Sequence, residues 1–182
     1  DGTLMADMTP IQLLRDIALR CRTQAAGLPE QQEVRETWSG IGFRLGDHYF
    51  VAAMDEITEI LNVPSVTRLP NVKPWVQGVS NVRGRLIPVI DLDLFFETPS
   101  QESMRNRRIL VIEQHDQIDG LIVDSVEGMQ YFPVDDFSGD IPSLPERIKP
   151  FVRGHYVRDS QIWTVISMED LYEHDVFQEV AV

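Results

Sequence analysis

WVQGVSNVRGRLIPVIDLDLFF, Trp75 to Phe96, is the stretch on which the fold reading turns. It opens on a glycine-bearing segment, Gly78 to Gly84, in which Arg83 is the only charge, and this segment reads as a turn. An apolar, β-rich run follows: Leu86, Ile87, Val89, Ile90, Leu92 and Leu94. Pro88 interrupts it, and a proline inside such a run marks an edge strand or a bulge. The stretch has an echo in FVRGHYVRDSQIWTVISMEDL, Phe151 to Leu171. Trp75/Phe151, Val76/Val152, Gly78/Gly154, Val89/Val165, Ile90/Ile166 and Leu92/Met168 all stand 76 positions apart. Apolar residues matched to apolar residues over half a chain argue for one β-unit used twice.

Outward from that core the same grammar recurs. Ile41, Phe43 and Leu45 alternate with Gly42, Arg44 and Gly46, the period of a half-buried strand. Gly46-Asp47-His48 turns the chain, Tyr49 to Ala53 returns, and MDEITEIL, Met54 to Leu61, reads as a short helical turn running into a strand. The second half repeats this with a strand at Ile109 to Ile112, a turn at His115-Asp116-Gln117, a return strand at Leu121 to Val123 and VDSVEGM at 123–129. Thr98 to Arg107 reads as the polar link between the halves. Many short strands punctuated by Gly and Pro predict small barrels or sandwiches, not a βαβ sheet. Ahead of them Thr9-Pro10 predicts a helix start, with Ile11, Leu14, Ala18, Cys21, Ala25 and Leu28 as an apolar stripe closed by Gly27 and Pro29. The stripe suits a helix packed on its own domain, or alternatively a partner-docking or dimerisation helix.

The composition limits function. The 182 residues carry 29 acidic against 16 basic side chains, a net charge of −13 that repels phosphate backbones and argues against nucleic acid. A single cysteine, Cys21, excludes an internal disulfide and fits a reducing compartment; on an apolar helix face it reads as a buried, inert thiol. No apolar run approaches the ~20 residues that span a bilayer. The histidines, His48, His115, His155 and His174, are scattered without metal-ligand spacing, and no phosphate-binding or nucleophile motif occurs. Asp91, Asp93 and Glu97 alternate, so a solvated strand face is expected there; paired carboxylates for acid–base catalysis are the competing reading. Arg83 admits two roles: a guanidinium tying down loop carbonyls or a nearby acid, or an exposed arginine at a protein interface.

FRLGDHYFVAAMDEITEIL, TRLPNVKPWVQGVSNVRGRLIPVIDL and GLIVDSVEGM together resemble the CheW-like domain of bacterial chemotaxis-type signalling, over about residues 38–173. The leader IQLLRDIALRCRTQAAGLPEQQEVRETWSGIGFR is similar to that of PilI-type members from type IV pilus twitching-motility systems, which carry an N-terminal helical extension. The resemblance implies a mainly all-β chain. Its parts would be a helical extension at 1–37, a CheW-like domain at 38–175 made of two SH3-like five-stranded barrels, and a tail at 176–182. The barrels would fall at about 38–97 and 108–172, with strand exchange between them left open. It implies no enzymatic activity, cofactor or metal. The expected role is an adaptor joining a CheA-like histidine kinase regulatory domain to the cytoplasmic tip of a methyl-accepting chemoreceptor, with no nucleic acid and no direct membrane insertion. Such an adaptor would be cytoplasmic and recruited to membrane-associated chemosensory arrays. A small-barrel ligand- or oligonucleotide-binding module is the alternative.

By position the resemblance carries partner binding onto Ile57, Glu59, Gly78, Val79, Asn81 and Arg83, and Val126 joins them as a second-barrel counterpart on its apolar character. Two departures stand out. Asp93 occupies a place where the family often has arginine, which is expected to alter a kinase- or solvent-facing surface, and Ser167 stands where an acid is common.

Overall fold

The computed structural model describes residues 9–24, 34–98 and 100–181, and the chain divides into two units, 1–35 and 36–182. In the first, Pro10–Gln24 forms helix α1. Thr9 caps it: its carbonyl accepts from Leu13 N–H at 3.0 Å, and its own N–H is taken by Gln12 Oε1 at 3.1 Å. That return bond from the third helical residue is half of a capping box. Asp16 and Arg20 pair one turn apart at 2.8 Å. Cys21, expected to be covered, is exposed. The stripe positions Ala25 and Leu28 and the Gly27 and Pro29 stop lie outside the described residues, as does Pro99 of the link.

The second unit runs β1 (Thr37–Leu45), β2 (His48–Ala53), β3 (Glu59–Asn62), β4 (Val76–Val82) and β5 (Arg85–Asp91), then helix α2 (Leu92–Phe96). After the link come β6 (Arg108–Gln114), β7 (Gln117–Val123), β8 (Ser125–Pro133), β9 (Val152–Arg158), β10 (Gln161–Ile166) and the short helices α3 (Met168–Glu173) and α4 (Asp175–Gln178). Two five-stranded sheets result, ordered β8-β1-β2-β10-β9 and β3-β6-β7-β5-β4. They form a pair of SH3-like barrels, and each takes strands from both halves of the chain. Of the pairings between the halves, β1 with β8 and β3 with β6 are antiparallel like the hairpins, and β2 with β10 and β5 with β7 are parallel.

Period two explains why the strand sequences read as unbroken apolar runs. Ile109 and Val111 on β6, Ile122 on β7 and Val89 on β5 fill the interior of one barrel. Their neighbours Leu110, Ile112, Leu121, Val123 and Ile90 face the opposite way, into a core shared with Phe43, Phe50, Phe151 and Met168. Val51 turns instead into the second barrel, against Phe132, Tyr156 and Trp163. Strands buried on both faces need hydrophobic residues at every position, and each buried large side chain contributes roughly 1.5–3 kcal/mol.

Two details of the opening stretch differ from the sequence reading. Gly78 lies within β4, not in a turn; only Arg83-Gly84 turn the chain, with φ of 52° and 79°. And β5 is not an edge. Val79 exchanges hydrogen bonds with Thr67, at 2.9 and 2.8 Å, so its polar backbone points away from β5 and its pairing with Pro88 needs no N–H from the proline. On the other side, parallel pairing with β7 begins only at Val89. Pro88 therefore interrupts no ladder bond, and β5 and β7 part company beneath it.

Removing residues 1–35 is expected to leave the barrels folded, with a thermal midpoint within a few degrees of the full chain by circular dichroism. Aggregation of the truncated protein would show that the leader covers core.

Candidate partner-binding surface

The β4–β5 hairpin projects Arg83 at its tip. Positive φ at both turn residues matches the right-handed twist of the flanking strands, and Gly84 N–H donates to Asn81 Oδ1 at 2.9 Å, fixing the turn. Arg83 is 77% exposed, and its guanidinium reaches Glu59 Oε1 on β3 at 2.5 Å. Arg83 and Glu59 thus share one edge of the barrel, with Thr58, Val82 and Ile87 lining a shallow hollow of about 110 Å³ beside them. Leu86, 70% exposed, and Ile60 are exposed apolar side chains at the neighbouring positions of β5 and β3. Both roles open to Arg83 in the sequence are present: it binds a nearby acid and it stands in solvent.

The remaining expected residues are placed elsewhere. Gly78 is buried in β4 at φ 139°, and a Cβ there would lie 1.9 Å from the Thr67 carbonyl oxygen. Val79 is half-buried on the same edge. Ile57, after the 3₁₀ turn Met54–Glu56, and Val126, at the start of β8, are half-buried against the shared core. The structure therefore gathers Glu59, Asn81 and Arg83 around the hairpin tip, sets Gly78 and Val79 further along β4 beside Thr67, and packs Ile57 and Val126 inward.

Asp91 and Asp93 require a correction. They do not form a solvated strand face. Asp91 ends β5 and caps α2, accepting from Asp93 N–H at 3.0 Å and Leu94 N–H at 3.4 Å. Asp93 is 2% exposed within that helix. Arg107, itself 4% exposed, donates a two-pronged pair to Asp91 at 2.8 Å each and a third bond to Asp93 at 2.7 Å. Its Nε faces Asp124 Oδ1 at 3.3 Å. Asp124 in turn accepts from Gly46 N–H at 2.7 Å and from the Ser100 hydroxyl. Burial, and then the Asp124 carboxylate, push Asp93 up to about 7. The strand-face reading failed because the alternation ends where α2 begins. It follows that Asp93 alters no outer surface, and that these carboxylates face a structural cation instead of substrate. Glu97 alone is exposed; it pairs with Arg147. The sequence places Arg107 only in the polar link and gives Asp124 no role, although each borders an apolar run buried on both faces, where a charge needs a partner.

Ser167 repeats the role of Asp91 at the same offset of 76 residues. It caps α3 by accepting from Asp170 N–H at 3.1 Å, and Arg153 donates to it at 3.3 Å. The second hairpin also repeats the first, with Gly154 at φ 157° and a virtual Cβ 2.2 Å from the Ser138 carbonyl oxygen.

Paired SH3-like barrels with exchanged strands and the ITEI and GVSNVRG segments side by side define a CheW-like domain. The model of the CheW-like domain family matches residues 39–176, and the chain belongs to that family. Protein PilI of Pseudomonas aeruginosa is 52% identical over 179 residues, covering 98% of this chain and all of the relative. Chemotaxis protein CheW of Helicobacter pylori is 28% identical over 166 residues, 89% of this chain and 97% of that one. The crystal structure of the scaffolding protein TtCheW from Thermoanaerobacter tengcongensis superposes with a TM-score of 0.68 at 25% identity, over 79% of this chain and 97% of that one. No described helix is long and apolar enough to cross a membrane.

Proposed function

We propose that this protein is a non-enzymatic adaptor that couples methyl-accepting receptors to a CheA-like histidine kinase in the chemosensory array controlling type IV pilus twitching motility. The observation that carries the reading is family membership across the whole barrel pair, joined to near full-length similarity to a PilI protein. The described chemistry agrees with a docking role: the conspicuous buried charges are ion-paired in the frame, while the exposed Arg83–Glu59 pair and Leu86 sit at an accessible barrel edge. Arrays in the cytoplasm, against the membrane that holds the receptors, are the expected location.

Glu59, Asn81 and Arg83 form the proposed contact centre. Gly78 and Val79 support the strand that presents it, and Ile57 and Val126 contribute apolar surface where they are half-exposed. Arg83→Glu is expected to weaken binding of the kinase regulatory domain or receptor tip by about 1–3 kcal/mol in calorimetric titration. The thermal midpoint should scarcely move, since an exposed ion pair contributes about 0–1 kcal/mol. Unchanged affinity for both partners would remove the site assignment, and failure of the native chain to bind either would overturn the adaptor reading.

A further inference from the structure

Where β5 and β7 separate below Pro88, a groove of about 600 Å³ opens between the strand ends and the C-terminal helices. Pro88, Gln117, Asp119, Tyr172, Phe177 and Gln178 line it. Asp119 is out of keeping with its surroundings. It shares the face of β7 that carries Leu121 and Val123 into the shared core, and its cross-strand neighbour on β6 is Ile112. Its carboxylate makes no hydrogen bond or ion pair among the described residues, although it is only partly exposed. Burial alone pushes its pKa up to about 6, with no cation to offset it. An unpaired carboxylate on an apolar strand face costs stability unless something else uses it.

The groove is pre-shaped around that carboxylate. Tyr172 is anchored through its hydroxyl to Gln117 and through its carbonyl to Gln178 Nε2 at 3.0 Å, and the exposed His115 ring stacks against it at 6.5 Å between centroids. Glu173 adds a second acid, and no lysine or arginine lines the groove. We propose that this groove is a docking site for an arginine side chain presented by a partner protein. The guanidinium would meet Asp119 through two parallel N–H bonds and lie against the ring-bearing walls, a geometry that a lysine ammonium cannot reproduce. The net charge of −13 steers such a basic segment inward. The site is separate from the Arg83–Glu59 edge and does not depend on the partner proposed there.

The probe is acetyl-Gly-Arg-Gly-amide titrated into the isotopically labelled full chain and followed by amide NMR, beside the same peptide with neutral citrulline in place of arginine. The arginine peptide is expected to shift the signals of residues 117–120 and 172–178 saturably. Citrulline, or the isosteric variant Asp119→Asn, should weaken binding at least about fivefold, as loss of a charge-assisted pair does. Equal shifts from both peptides, undiminished binding by Asp119→Asn, or shifts confined to other regions would overturn the proposal. The two-peptide comparison needs no variant to fold.

Discussion

Replacing Arg107 with alanine is expected to cost about 3–5 kcal/mol of folding stability, because it strands three buried carboxylates without their cation. Asp91, Asp93 and Asp124 all converge on this one guanidinium, and the bonds reach from the end of β5 to the crossover between β7 and β8. Arg107→Lys keeps the charge but loses the two-pronged fit to Asp91, so its loss should be intermediate. The deficit carries a pH signature. Asp93 already titrates near 7 in the fold against an ordinary 3.8, so between those values the unfolded chain releases a proton that the folded chain retains, and stability falls as pH rises. Without Arg107 the folded value climbs further. The alanine variant's deficit should therefore be smaller at about pH 5, where Asp93 is protonated in both proteins, than at about pH 8. Urea unfolding at the two pH values measures this, and a deficit independent of pH would show that packing, not charge, is what the arginine supplies.

Gly78→Ala is expected to destabilise by about 3 kcal/mol or more, since the new methyl meets a backbone oxygen that no rotamer can move and the residue sits at positive φ. Gly154→Ala should behave alike, its Cβ meeting the Ser138 carbonyl. Gly84→Ala provides the comparison: φ is also positive but the space around it is open, so only the conformational cost of about 1–2 kcal/mol remains. Thermal or urea unfolding of the three variants separates collision from strain. Equal losses in all three would mean that the loop bearing Thr67 yields.

These two cases also mark how far the sequence could be read. The repeat of 76 residues located both glycines and both hairpins, because duplicated local structure leaves duplicated local sequence, whereas the matching caps Asp91 and Ser167 emerge only in the structure. The meaning of Gly78 was misjudged: glycine signals a turn and a close approach in the same letter, and only the position of Thr67 decides between them. Strand neighbours were equally hidden, since alternation tells which face a residue takes but not which strand lies beside it. Arg107 and Asp119 were invisible for a related reason. One reads as an ordinary residue of a polar link and the other falls between the expected turn and return strand, and their significance lies wholly in what the third dimension sets next to them. Within the candidate site, the Arg83 tip was legible because a lone charge in an apolar hairpin has few alternatives to exposure, whereas the inward packing of Ile57 and Val126 depends on the opposite barrel.

The parallel seams have a consequence for how the molecule comes into being. β1 and β2 wait for β8 and β10, the latter made more than a hundred residues after β2, whereas every strand of the other sheet, β3 to β7, has been made by residue 123. One sheet therefore has its strands before the other, and a chain cut at the polar link would leave two fragments that are each other's missing strands.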